Sequence, residues 1–137
     1  MIHMGRSDRR IRVLWAATGV LFSACYIHTS AKPIDSHVRR PPTCPEAVAL
    51  FAAAAEVNRQ YVEVARISVW HPADMAVKPV DEQLAQRKKA AEFGANGLIL
   101  QHPLDQLDAP DQRSLAIFIS ADSARAAEIC AARGHGK

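Results

Sequence analysis

The chain predicts an α+β domain in which one small sheet of about four strands is packed by one main helix, with a short C-terminal helix. Three observations carry this. A β-branched run extends from Tyr61 to Trp70, a capped helical segment lies between Pro79 and Gly94, and two short apolar runs, Leu98–Leu100 and Leu115–Ile119, follow it. Two strands, a helix and two more strands make one sheet with a helix across one face.

Taken in order, Ala47-Val48-Ala49-Leu50-Phe51 is a short apolar run that reads as a buried strand. In the next strand Glu63, Ala65, Ile67 and Val69 fall on one side and Val62, Val64, Arg66 and Ser68 on the other. Its β-branched content favours strand over helix. Ala52 to Gln60 is expected to be a hairpin connection, although Ala52–Ala55 is equally suited to a helical turn. Pro72 ends the strand because proline cannot donate to a ladder. The helix is expected over Asp81 to Phe93, with Asp81 as its N-cap and Gly94 at the left-handed position past its end. Leu84, Lys88, Ala91 and Ala95 line up at helical spacing, as do Arg87, Ala90 and Gly94. Asn96-Gly97 makes a turn, Asn96 being suited to bonding local backbone. Leu98–Leu100 is apolar on both faces, as a central strand is. Gln106 to Arg113, with Asp108, Pro110 and Asp111, reads as a loop. Asp122 caps a last helix running through Ala131. As neighbours in a crossover unit, the strands from Tyr61 and Leu98 would run parallel.

The N-terminus speaks to location. Arg6, Arg9, Arg10 and Arg12 precede an apolar run from Val13 to Leu21, which leads into Phe22-Ser23-Ala24-Cys25. A basic segment, an apolar core of about ten residues and small residues before a cleavage point make a secretory signal. The run is shorter than the roughly 20 residues needed to span a bilayer as a helix. Cysteine after Ser-Ala resembles the lipobox of bacterial lipoproteins, with Phe22 in place of the usual leucine. Residues 1–24 are then the signal peptide, and Cys25 carries the lipid. Tyr26 is not Asp, which resembles the default that sends such proteins to the outer membrane. A plain signal peptide cut after Ala24 is the alternative.

Processing changes the charge. Arg6, Arg9, Arg10 and Arg12 are the cations among the 17 Lys and Arg that lie before Cys25, and Asp8 is the one such residue of the 14 Asp and Glu, which leaves 13 of each. No basic excess survives to suit a nucleic acid. Residues 25–43 hold Lys32-Pro33, Arg39-Arg40 and Pro41-Pro42 with few large apolar side chains, so they read as a flexible tether. Extended, Tyr26 to Thr43 spans at most about 60 Å. The folded domain is expected over 44–137. An export signal implies an oxidising compartment, where Cys44 and Cys130 are expected to form a disulfide; two free thiols are the alternative.

Three pieces carry a resemblance: Cys44-Pro45-Glu46 before an apolar run, Tyr61-Val62-Glu63-Val64-Ala65, and Lys89-Ala90-Ala91-Glu92-Phe93-Gly94-Ala95-Asn96-Gly97-Leu98-Ile99-Leu100. Together with Ser114–Ile119, over residues 44 to 120, they resemble small bacterial envelope lipoproteins with a domain similar to the YbjQ and RcsF group. The resemblance implies a compact α/β domain at the envelope. The sensor lipoprotein of that group uses two disulfides within its domain, whereas Cys44 and Cys130 supply one here. Fold and location are therefore carried over, and the signalling is not.

Catalytic patterns are sparse. Ser68, Ser114, Ser120 and Ser123 lack a Gly-x-Ser-x-Gly context, and the glycines are too scattered for a phosphate cradle. The sequence reading is a non-catalytic lipoprotein with no small-molecule substrate. Its partners would be the bilayer, through Cys25, and other envelope proteins, for contact or stress-related sensing. The rival reading is a metal module. His71 and His102 follow the ends of two proposed strands, and on parallel neighbours both imidazoles would emerge at one sheet edge. Asp74, Asp105, Asp108 and Asp111 lie nearby in the loops. Two imidazoles and a carboxylate suit Zn²⁺. His-Pro at both positions is also ordinary strand-end punctuation. Tyr61 and Trp70 read either as rim-of-core aromatics or as a partner surface.

Overall fold

Five strands form one mixed sheet: β1 (His28–Pro33), β2 (Ala49–Phe51), β3 (Val62–Trp70), β4 (Gly97–Gln101) and β5 (Gln112–Phe118), in the spatial order β1-β3-β5-β4-β2. Helix α1 (Pro79–Glu92) connects β3 to β4, and α2 (Ser123–Gly134) follows β5. The computed structural model describes residues 27–72, 74–101 and 112–134. The expected α+β class is what the chain adopts, with one strand more than expected.

That strand comes from the segment expected to be a tether. His28–Pro33 pairs antiparallel with β3, from His28 opposite Trp70 to Pro33 opposite Ala65. Thr29 and Ala31 are half-buried while His28 and Ser30 are exposed. Composition undercounts such a strand, because an edge strand draws its stability from main-chain pairing and two small inward side chains. The chain then stays on the domain. Ile34 N–H donates to Val64 O at 3.0 Å and Thr43 N–H to Ala91 O at 2.9 Å. The Arg40 guanidinium lies 4.8 Å from the centre of the Phe118 ring, within cation–π range. Residues 28–43 thus belong to the domain.

The expected hairpin between the first apolar run and β3 does not form. Pro45–Ala47 is a 3-10 turn, and β2 pairs parallel with β4 at the far edge, with Phe51 opposite Ile99. The link instead makes a second 3-10 turn at Ala54–Glu56. It brings Val57 and Tyr61 over the apolar patch of Ile99, Leu115, Ile117 and Ile119. Covering that patch is what draws the link across the sheet. The crossover also differs from the expected neighbour pair. β3 and β4 do run parallel, but β5 lies between them, antiparallel to both. Leu115, Ala116 and Ile117 are buried on alternating faces, which suits the central position of β5.

On the other face α1 packs over Ala65, Ile67, Leu98 and Ala116 through Ala90 and Ala91. Its first residue is Pro79 and its N-cap is Lys78, not Asp81; proline is preorganised for that first position. The inward stripe is Glu82, Gln86, Ala90 and Ala91, while Leu84 is exposed. Inward polar residues were not expected; Glu82 meets His71 just past the end of β3, and Gln86 meets Ser114 on β5. Gly94 ends the helix at φ 73°. A Cβ there would stand 2.6 Å from both Arg40 Cβ and Pro41 O. Gly94→Ala is therefore expected to cost about 2 kcal/mol from strain and displacement of the 40–41 segment. Urea unfolding checks this; a loss under about 0.5 kcal/mol would contradict it.

Asn96 departs from its expected local role. It is buried, and its side chain bonds Ile119, 23 residues away, through Nδ2–H to Ile119 O at 2.8 Å and Ile119 N–H to Oδ1 at 2.7 Å.

Candidate functional site

Two of the three cysteines are joined in the fold. Cys44 and Cys130 form a disulfide with their Cα atoms 5.6 Å apart, inside the range a bridge needs. Cys44 enters the 3-10 turn at 45–47, and Cys130 lies on α2. Glu46 in that turn pairs with Arg133 of α2, so two links hold the helix to one turn. The Glu46 carboxyl is held below its ordinary value, first by its own backbone N–H and then by Arg133 and Arg87. Cys25 lies outside the described residues.

The strands that precede His71 and His102 are parallel but are not the neighbours expected. β5 separates the two strands that were to carry His71 and His102, so they are two strand spacings apart, about 10 Å. His102, Asp105, Asp108 and Asp111 lie outside the described residues. His71 is engaged at both nitrogens: Nε2 contacts the buried Glu82 Oε1 at 2.7 Å, and Nδ1 lies 3.1 Å from Pro72 O. This pair joins the end of β3 to the first turns of α1. One turn on, the Ser114 hydroxyl donates to Gln86 Oε1 at 2.5 Å. Among the described residues no three His, Cys, Asp or Glu side chains are grouped to hold a metal ion. Sequence reasoning missed this polar seam because each helical partner, Glu82 and Gln86, reads as a solvent residue until its sheet partner is known.

A cleft of about 490 Å³ lies between β2 and α2, lined by Val48, Phe51, Arg59, Arg87, Asp122 and Ile129 among others. Arg59 is paired with Asp122. Arg87 donates from Nη2 to Glu46 O at 3.3 Å, and its buried Nε has no hydrogen-bond partner among the described residues. Its polar lining combines the guanidinium groups of Arg59, Arg87 and Arg125 with the amides of Asn58 and Asn96 and the carboxylates of Glu46 and Asp122.

The aromatics at the two ends of β3, Tyr61 just before it and Trp70 its last residue, part company. Tyr61 packs on the Ile99–Ile119 patch, whereas Trp70 is exposed at the strand's end, with its ring centroid 5.8 Å from that of His28. Around it the open half of the sheet face carries Ser30, Lys32, Arg66 and Ser68. Among the described residues no helix is long and apolar enough to cross a membrane.

Comparison with protein-family models and with curated proteins finds no match. Among solved structures the chain is similar to a Francisella virulence factor, FvfA, at 17% identity and a TM-score of 0.43, over 69% of this chain and 97% of that one.

Proposed function

We propose that this protein is an exported bacterial lipoprotein, held at the outer membrane by a lipid on Cys25, whose α+β domain works by protein contact at the envelope and not by catalysis. The observation that carries the reading is the division of the three cysteines. Cys44 and Cys130 are joined to one another, as suits an oxidising compartment, and this leaves Cys25 after Ser23-Ala24 as the residue for lipid. The Arg-rich segment and the apolar run from Val13 to Leu21 support export, and Tyr26 supports sorting to the outer membrane.

The test is metabolic labelling of growing bacteria with a palmitate analogue. Label is expected in the wild-type chain and absent from Cys25→Ser. Label in neither chain, or equally in both, would contradict the reading.

A further inference from the structure

The protein reaches its sheet almost as soon as it leaves Cys25. Three residue steps separate Cys25 from His28, the first residue of β1, a reach of at most about 11 Å. The polar layer of one leaflet is itself roughly 5–8 Å thick. A lipid on Cys25 therefore leaves little chain after crossing that layer, and His28 stands at its surface. The domain cannot be held clear of the membrane, as an 18-residue tether would hold it.

Geometry then decides which end meets the lipid. His28 lies directly opposite Trp70, so the end of the sheet nearest the anchor is where β3 finishes and α1 begins. The His71–Glu82 contact holds the first turns of α1 against this end. Trp70 protrudes there at 45% exposure, on the sheet face opposite α1. An indole with an apolar body and one N–H donor is suited to the lipid–water interface. The far end of β3, at Val62, is about 26 Å away along the strand and out of the anchor's reach. Charge does not select this end: Lys78 is accompanied by Asp74 and Asp81, all exposed. The contact is apolar and held by the anchor.

We infer that the His28–Trp70 end of the sheet docks on the phospholipid surface that holds Cys25, with the Trp70 indole seated at the interface. This rests on the lipoprotein reading above and adds a fixed orientation to it. The domain stands with the disulfide, α2 and the Arg-lined cleft directed away from the lipid, available to partners.

The chain carries its own probe. Of its two tryptophans, Trp15 lies in the signal segment, so residues 25–137 contain Trp70 alone. The lipidated protein, purified from membranes, is placed in phosphatidylethanolamine–phosphatidylglycerol vesicles with brominated acyl chains. Trp70 emission is expected to shift to the blue and to be quenched several-fold, with little change at high salt. A Val62→Trp variant that also carries Trp70→Phe moves the probe to an exposed site at the far end and is expected to show no quenching. Equal quenching of both proteins means a domain that tumbles on its anchor, and no quenching of either means one held off the lipid; both overturn the inference. Intact mass of the same samples separates the two proposals. A lipidated protein with either adverse result keeps the anchor reading and loses the orientation, whereas an unlipidated Cys25 removes both.

Discussion

Opening the Cys44–Cys130 bridge is expected to destabilise the domain by about 4 kcal/mol. The two cysteines are 86 residues apart, and closing a loop of that length removes unfolded-chain entropy worth on the order of 4–5 kcal/mol in the chain-entropy model. A domain of this size has a total stability of about 5–15 kcal/mol, so the loss is a large share of it. The consequence falls first on α2. Ala126 is the buried residue of that helix, and the Glu46–Arg133 pair at its end is exposed and therefore a weak tie. Cys44 N–H lies 3.1 Å from Cys130 Sγ, and the Thr43 hydroxyl 3.4 Å from it, so the bridge also seats the turn that feeds β2. Urea unfolding of the wild type with and without reductant, and of Cys44→Ala with Cys130→Ala, measures the effect, while amide exchange locates it. The reduced protein should exchange fastest over 123–134. A shift below about 1 kcal/mol would mean that packing alone holds α2.

Asn96→Ala is expected to cost about 3 kcal/mol. Asn96 joins three segments. Its N–H donates to Ile117 O at 3.1 Å, its carbonyl accepts from Ala49 N–H at 3.0 Å, and its side chain makes two bonds to the backbone of Ile119. The main-chain bonds survive the substitution. The Ile119 N–H and carbonyl do not keep their partners, and a buried polar group left unpaired costs about 1–3 kcal/mol. Beyond Phe118 the β4–β5 ladder has ended, so the amide supplies the last rung. Equilibrium unfolding checks the size. A loss under about 1 kcal/mol would show that water or a shifted backbone replaces the amide.

Local chemistry made much of this fold legible, and pairing choices made the rest obscure. β3 announced itself through Val62, Val64, Ile67 and Val69, and the end of α1 through Gly94, because both signals sit in adjacent residues. The partner of a strand does not. Nothing in Ala49–Phe51 says that it joins β4 at the far edge; that follows from Phe51, Val57 and Tyr61 covering an apolar patch contributed by β4 and β5. β1 was hidden for a related reason. His28-Thr29-Ser30-Ala31-Lys32-Pro33 lacks the apolar alternation of a core strand, and its place is fixed by the ladder to β3. The inward stripe of α1 was not legible because Glu82 and Gln86 are buried against His71 and Ser114, partners that become visible only in three dimensions. The disulfide was legible by counting cysteines. Trp70 was singled out by residue type, but its exposure and its place beside His28 needed the register of the sheet.

The division of cysteines is the central claim, and intact mass of the protein extracted from membranes in detergent tests it most directly. The expected mass is that of residues 25–137 with a diacylglyceryl group and an acyl chain, and it should gain one hydrogen at each of two sulfurs on reduction. A chain beginning after Ala24 with no lipid, or a mass unmoved by reductant, would contradict the account.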